Sequence, residues 1–193
     1  MVYDLPETLE IAGKEYDIRT DYRDILRILI AQGDPDLPDE AKAIVTLVIM
    51  YPDLEKIPTD DLQEAFEKAV WFLNCGQELS ESKKKPKLMD WEQDSQLIIT
   101  AINAQIKQEV RSMPYMHWWT FFGYYMSIGE SLFSTVVGIR SKRAKGKKLE
   151  QHEKEFLKEN EELVTLKKKV SESDKAAIRQ EKDEILKFLN GGG

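Results

Sequence analysis

The chain has 193 residues, 41% hydrophobic and 33% charged, with a formal net charge of −7 and a sequence pI near 5.1. That acidic balance argues against a general nucleic-acid binder, because phosphate affinity comes from Lys and Arg. A single cysteine, Cys75, rules out an internal disulfide, and no apolar run approaches membrane-spanning length.

The length allows one ordinary domain plus an appendage. The N-terminus lacks the basic and apolar regions of a signal peptide, so a soluble intracellular protein is expected. Thr8-Leu9-Glu10-Ile11 and Tyr16-Asp17-Ile18 alternate around Ala12-Gly13-Lys14, the pattern of a short hairpin with a glycine turn. Thr20 reads as the N-cap of a first helix, with Asp21 in its first turn, an apolar stripe at Ile25, Leu26, Leu29 and Ile30, and Gly33 at its end. Pro38 fits the first position of a second helix, whose stripe is Ile44, Leu47, Val48 and Tyr51 and whose stop is Pro52. Thr59 caps a third, with Leu62, Phe66, Ala69, Val70 and Leu73 facing inward and Gly76 closing it.

Gln77 to Leu88, with its run of lysines, has no apolar periodicity and reads as an exposed loop. Asp90 and Gln93 have capping-box spacing at the start of a fourth helix that continues to about Arg111. Met113-Pro114 breaks it. Met116 to Met126 then holds six aromatic residues and His117, so a helix there is apolar on nearly every face and must be buried. Trp119, Phe122 and Met126 follow helical spacing on one face, and at least two of them are expected to be buried. Ser131 opens a further helix with Leu132, Phe133, Val136, Val137 and Ile139.

After about Arg140 the aromatics nearly vanish and charge dominates. Leu149, Phe156, Leu163 and Val170 recur every seven residues on an otherwise charged helix. Ser171 to Asp174 interrupts the phase, and Ile178, Ile185, Leu186 and Leu189 give a second amphipathic stretch. The expected architecture is mainly α: a small helical domain with an N-terminal β-hairpin over residues 1–140, and a charged C-terminal helical hairpin over 141–193. Two helices have little core of their own. The seam Leu149, Phe156, Leu163, Val170, Ile178, Ile185 must therefore bury against a partner, a second subunit or the main domain.

Catalytic chemistry is not in evidence. The chain has no Gly-rich phosphate loop, nucleophile elbow or Cys pair. Two histidines, His117 and His152, are too few for a zinc site. Asp90 and Asp94 lie one turn apart, but with Asp90 at a helix start the pair reads as structural. Cys75 reads as a packing thiol and His117 as a core histidine. The basic stretches Lys83 to Lys85 and Arg140 to Lys148 read as solvated surface. No enzyme activity, metal or cofactor is expected.

The order of short motifs carries a resemblance. Leu5-Pro6, Gly13-Lys14-Glu15-Tyr16-Asp17-Ile18 and Thr20-Asp21-Tyr22-Arg23 open the chain. Trp71-Phe72-Leu73-Asn74-Cys75-Gly76, Asp90-Trp91-Glu92-Gln93-Asp94, Met116-His117-Trp118-Trp119-Thr120-Phe121 and Ile139-Arg140-Ser141-Lys142 follow. Over roughly residues 5 to 145 this series resembles the bacteriophage gp-fifteen tail protein family, found in long-tailed phages and prophages of Gram-positive bacteria. The His-Trp-Trp motif is its most specific part. Genes of this family lie between those of the major tail protein and the tape-measure protein. The resemblance therefore implies a tail assembly chaperone acting in the host cytoplasm. Such a protein would coat the tape-measure protein, help recruit major tail-tube subunits, and self-associate or not as the seam dictates. It would have no catalytic residues and neither nucleic acid nor membrane as a partner. The alternative is a structural virion component retained in the particle. The signature residues His117, Trp118, Trp119, Phe121 and Phe122 are expected to be structural.

Overall fold

The computed structural model describes residues 4–77 and 86–167. Strand β1 (Thr8–Ile11) pairs antiparallel with β2 (Lys14–Asp17), with Leu9 opposite Tyr16. Ala12 and Gly13 form the connection, both with positive φ (49° and 76°), as a two-residue hairpin turn demands. Period-two alternation buries Leu9, Ile11 and Tyr16 and leaves Glu10 and Glu15 in solvent.

Eight α-helices follow among the described residues. Helix α1 (Tyr22–Gln32) is capped by Asp21, whose carboxylate accepts from the Arg23 N–H. The cap expected at Thr20 is displaced because Thr20 is engaged elsewhere: its carbonyl accepts from Trp118 N–H and its hydroxyl bonds Tyr115. Tyr22, Ile25 and Ile28 are fully buried, so the buried face is rotated from the expected stripe, with Leu26 and Leu29 at its margin.

Helix α2 (Asp39–Met50) takes Pro38 as its N-cap rather than its first residue. Leu47, Met50 and Tyr51 are buried, but Ile44 and Val48 are 60% and 52% exposed. The expected stripe is thus half right. From Ala43 to Met50 only Thr46 is polar, so periodicity could not fix which face turns inward. Two 3₁₀ turns, Leu54–Lys56 and Thr59–Asp61, lead into α3 (Leu62–Leu73), which buries Ala65, Ala69 and Phe72. Thr59 makes no capping bond.

Asp90 does not begin a long helix. Its Oδ1 accepts from the N–H groups of Glu92 and Gln93 in a turn, and α4 runs only from Ser95 to Ile106. Lys107, with φ 55°, ends it well before Arg111. Helix α5 (Trp118–Met126) carries the aromatic run. Helix α6 (Leu132–Ala144) opens with the expected Ser131 cap, in a reciprocal box with Ser134.

The charged region is broken earlier than its seven-residue pattern suggested. Helix α7 (Gln151–Glu159) stops at Asn160, whose side chain bonds the Phe156 carbonyl, and α8 (Glu161–Val164) is a single turn. Val170, Ile178 and Ile185, with the second amphipathic stretch, lie outside the described residues, as do residues 78–85 of the expected loop.

Two apolar clusters hold the chain. The larger extends from the hairpin through α1 to α5 and ends at Phe133. The smaller is built on Val136, Ile139 and Val164, joining α6 to α8.

Candidate functional site

The short sequence motifs are distant along the chain and adjacent in space. Met116 to Trp118 runs antiparallel to Thr20 to Tyr22, with Tyr22 N–H donating to Met116 O at 3.0 Å and Trp118 N–H to Thr20 O at 2.7 Å. Asp21 holds the Arg23 guanidinium at 2.8 Å, and Arg23 Nη2 donates to the Met113 carbonyl. The Tyr22 ring stacks on Phe121 with centroids 4.3 Å apart.

Trp71 to Gly76 meets His117 to Trp119 at the end of α3. A helix leaves its last four carbonyls without internal partners. Here each finds one. Val70 O accepts from the Asn74 side chain, Trp71 O from Gly76 N–H, Phe72 O from Trp119 Nε1 at 2.9 Å, and Leu73 O from Trp118 Nε1 at 3.0 Å. Gly76 has φ 76°, and a β-carbon there would lie 3.2 Å from the rings of both Trp71 and Trp119. Backbone conformation and space therefore both favour glycine. Trp91 of the Asp90–Asp94 motif packs edge-on to Trp118 and 4.8 Å from Tyr125.

The aromatic helix buries a different face from the expected one. Trp118 and Phe121 are fully buried, Trp119 and Phe122 are half-buried, and Met126 is 66% exposed. Trp118, Phe121 and Tyr125 follow helical spacing as well as Trp119, Phe122 and Met126 do. The Trp118 indole bond to Leu73 O and the Tyr22 stack on Phe121 select the first set, while Trp119 reaches Phe72 O from the margin.

His117 is the N-cap of α5. Its Nδ1 accepts from Trp119 N–H at 3.0 Å, which leaves Nε2 to donate to Pro6 O, also at 3.0 Å. This fixes the neutral Nε2–H tautomer. Burial holds the imidazole below the ordinary histidine value, against the opposing pull of the Pro6 carbonyl. With the folded value depressed, the unfolded chain binds the extra proton first as pH falls. This contribution to stability is therefore full above about pH 6.5 and declines below it, until the folded imidazole also protonates. Urea midpoints measured from about pH 7.5 to 5.5 should fall, and His117→Asn, which keeps an N-cap acceptor, should flatten this part of the profile. An unchanged slope in that variant would remove His117 as the source.

The Asp90–Asp94 motif and the last motif meet through Asp94 and Arg140, whose side chains are 1% and 5% exposed. All five guanidinium N–H donors are used: Nη1 and Nη2 clamp the Asp94 carboxylate at 2.7 and 3.0 Å, and the others reach the carbonyls of Leu88, Leu163 and Val164. Asp94 also accepts from the Asp90 N–H at 2.9 Å. Asp90 and Asp94 are thus a turn cap and an ion-pair partner. The sequence reading placed Arg140 in a solvated basic run and missed it. Position 140 extends the Phe133–Val136 stripe of α6, which was the available signal. Gln93 is not a capping-box partner. Its amide bonds Thr165 O and Lys167 N–H instead.

Of the seam residues, Leu149, Phe156 and Leu163 are half-buried against Val136, Ile139 and Val164 of the same chain. Cys75 is half-buried, with its thiol pushed up to about 11 by desolvation, which suits a packing thiol. A cleft of about 240 Å³ beside the hairpin contains Lys14, Glu15, Asp17, Asp53 and Lys56. Its lysines are engaged, Lys56 with Asp53 at 2.6 Å and Lys14 over the Tyr16 ring. Among the described residues no group of three or more His, Cys, Asp or Glu is arranged to hold a metal ion.

The family model for the Bacteriophage Gp15 protein matches residues 1–166, which takes in α7 and α8 as well as the helical body. Neither a curated protein nor a solved structure matches the chain.

Proposed function

The chain belongs to the Bacteriophage Gp15 protein family, and from that membership we propose that it is a non-catalytic tail assembly chaperone. In this reading it binds the tape-measure protein in the host cytoplasm, keeps it soluble and helps recruit tail-tube subunits. The family match over residues 1–166 is the observation that carries the reading. Two features support it. The family-like motifs are bonded to one another, as expected of a scaffold whose signature holds its shape. Helix α2 also leaves Ile44 and Val48 exposed one turn apart, an apolar strip of the kind an amphipathic partner helix covers. No helix among the described residues is long and apolar enough to cross a membrane.

Co-expression with the tape-measure protein tests the reading. The wild-type chain should keep that protein in the soluble fraction, and mass spectrometry of purified virions should not find this chain. Its presence in stoichiometric amount would favour the structural virion component instead. Ile44→Ser with Val48→Ser should change folding stability by no more than about 1 kcal/mol, because both side chains are largely solvated. The same double variant should send the tape-measure protein to the pellet. Undiminished solubility would exclude α2 as the contact face.

A further inference from the structure

We propose that the cleft between Gln93 and Arg140 is a peptide-binding groove, and that residues 160–167 are an exchangeable arm that also fills the groove of a second copy of this chain. The arm is held largely through its main chain. Arg140 Nε donates to Val164 O at 2.7 Å and Nη2 to Leu163 O at 2.9 Å. The Gln93 amide donates to Thr165 O and accepts from Lys167 N–H, both at 2.9 Å. In an extended segment the carbonyl of one residue and the N–H two residues on point to the same side. The Gln93 amide therefore acts as a neighbouring strand would. Val164, fully buried against Val136 and Ile139, anchors the segment, with Leu163 half-buried beside it. Beside it runs a cleft of about 310 Å³ lined by Gln93, Asp94, Glu162, Leu163 and Lys167.

The arm is built to leave. None of its residues belongs to the larger apolar cluster, which ends at Phe133. Helix α7 has no buried residue. The tether from α6, Lys145 to Lys148, is exposed and turns at Gly146, whose φ is 64°. Undocking therefore opens the small cluster of Val136, Ile139 and Val164 with its half-buried flanks Leu149, Phe156, Leu157 and Leu163, bares the polar ends of Gln93 and Arg140, and leaves the larger cluster packed. Every copy carries both groove and arm. A reciprocal two-fold dimer, in which each Arg140 reads the partner's main chain, would keep the arm's contacts with Gln93, Arg140, Val136 and Ile139. The proposal does not depend on the chaperone reading.

The test uses a fluorescent peptide of residues 159–167 and the full chain carrying Val164→Asp, which unseats its own arm. The peptide should bind that chain saturably, and about tenfold or more weakly to wild type, where the resident arm competes. Adding Gln93→Ala should weaken binding by about tenfold through two lost hydrogen bonds. Sedimentation of the wild-type chain should show a reversible dimer at high concentration that Val164→Asp removes. No saturable binding to a folded Val164→Asp chain, or binding indifferent to Gln93→Ala, overturns the groove. Binding with no wild-type dimer overturns the exchange. Should Val164→Asp fail to fold, amide exchange on the wild-type chain decides. The Lys167 amide exchanging much faster than α5 amides supports a detachable arm, and equal protection overturns it.

Discussion

Arg140→Met should destabilise the folded chain by roughly 3–5 kcal/mol, the range for removing one member of a buried ion pair. The whole of a typical domain is worth only ~5–15 kcal/mol. The methionine fills much of the volume of the arginine stem, so lost packing is a minor part. What remains is the Asp94 carboxylate, 1% exposed, with the Asp90 N–H at 2.9 Å and no cation. The carbonyls of Leu163 and Val164 also lose their donor. Adding Asp94→Leu removes the orphaned charge and should recover a large part of the loss, because a buried pair is often replaceable by apolar residues at little net cost. Urea denaturation followed by Trp fluorescence reads both. The midpoint should fall in the single variant with the slope unchanged, then rise in the double. A single variant within about 1 kcal/mol of wild type would mean that the pair is solvated in solution, like an ordinary surface bridge.

The same residues show what could be read from sequence. The hairpin, the helix start at Ser131 and the closing glycine Gly76 were legible because a few local atoms decide each of them, and Pro38 was placed within one residue of its cap position. The phases of α2 and α5 were not. In α5, aromatic residues come in adjacent pairs, at positions 118–119, 121–122 and 124–125, so two helical faces meet the apolar criterion equally well. The choice is made by partners distant in sequence, the Leu73 carbonyl on Trp118 and the Tyr22 ring on Phe121. Arg140 fails to be legible for the opposite reason. Its neighbours Lys142, Arg143 and Lys145 are solvated or surface-paired, and composition gives one arginine in a basic run no distinction from the rest. The end of α8 at Val164 is likewise a tertiary matter. A seven-residue pattern promised one continuous helix, but the Leu163 and Val164 carbonyls are taken by Arg140 and the chain turns extended at Thr165, beside Gln93.

Trp118→Ala should also cost roughly 3–5 kcal/mol, the range for truncating a buried large aromatic side chain. At about 2–4 °C per kcal/mol for a chain of this size, the melting temperature should drop by roughly 6–20 °C. Two losses combine. The indole, fully buried between Trp91, Phe121 and Phe122, leaves a cavity that the rigid rings around it cannot collapse into. The Leu73 carbonyl loses the Nε1–H that completes the end of α3. Trp118→Phe separates them. It restores most of the ring and still orphans the carbonyl, so it should cost only about 1–3 kcal/mol. Trp119→Phe should cost less again: that ring is half-buried, and Phe72 O keeps a second donor in Cys75 N–H. The order Trp118→Ala, Trp118→Phe, Trp119→Phe is thus fixed by burial and by the number of partners each carbonyl retains. It also bears on function. A signature held for shape predicts that Trp118→Phe, assayed below its melting temperature, still keeps a co-expressed tape-measure protein soluble. If the Trp variants kept their melting temperatures and lost that solubility instead, the aromatic helix would be the partner surface, and the exposed strip on α2 would not.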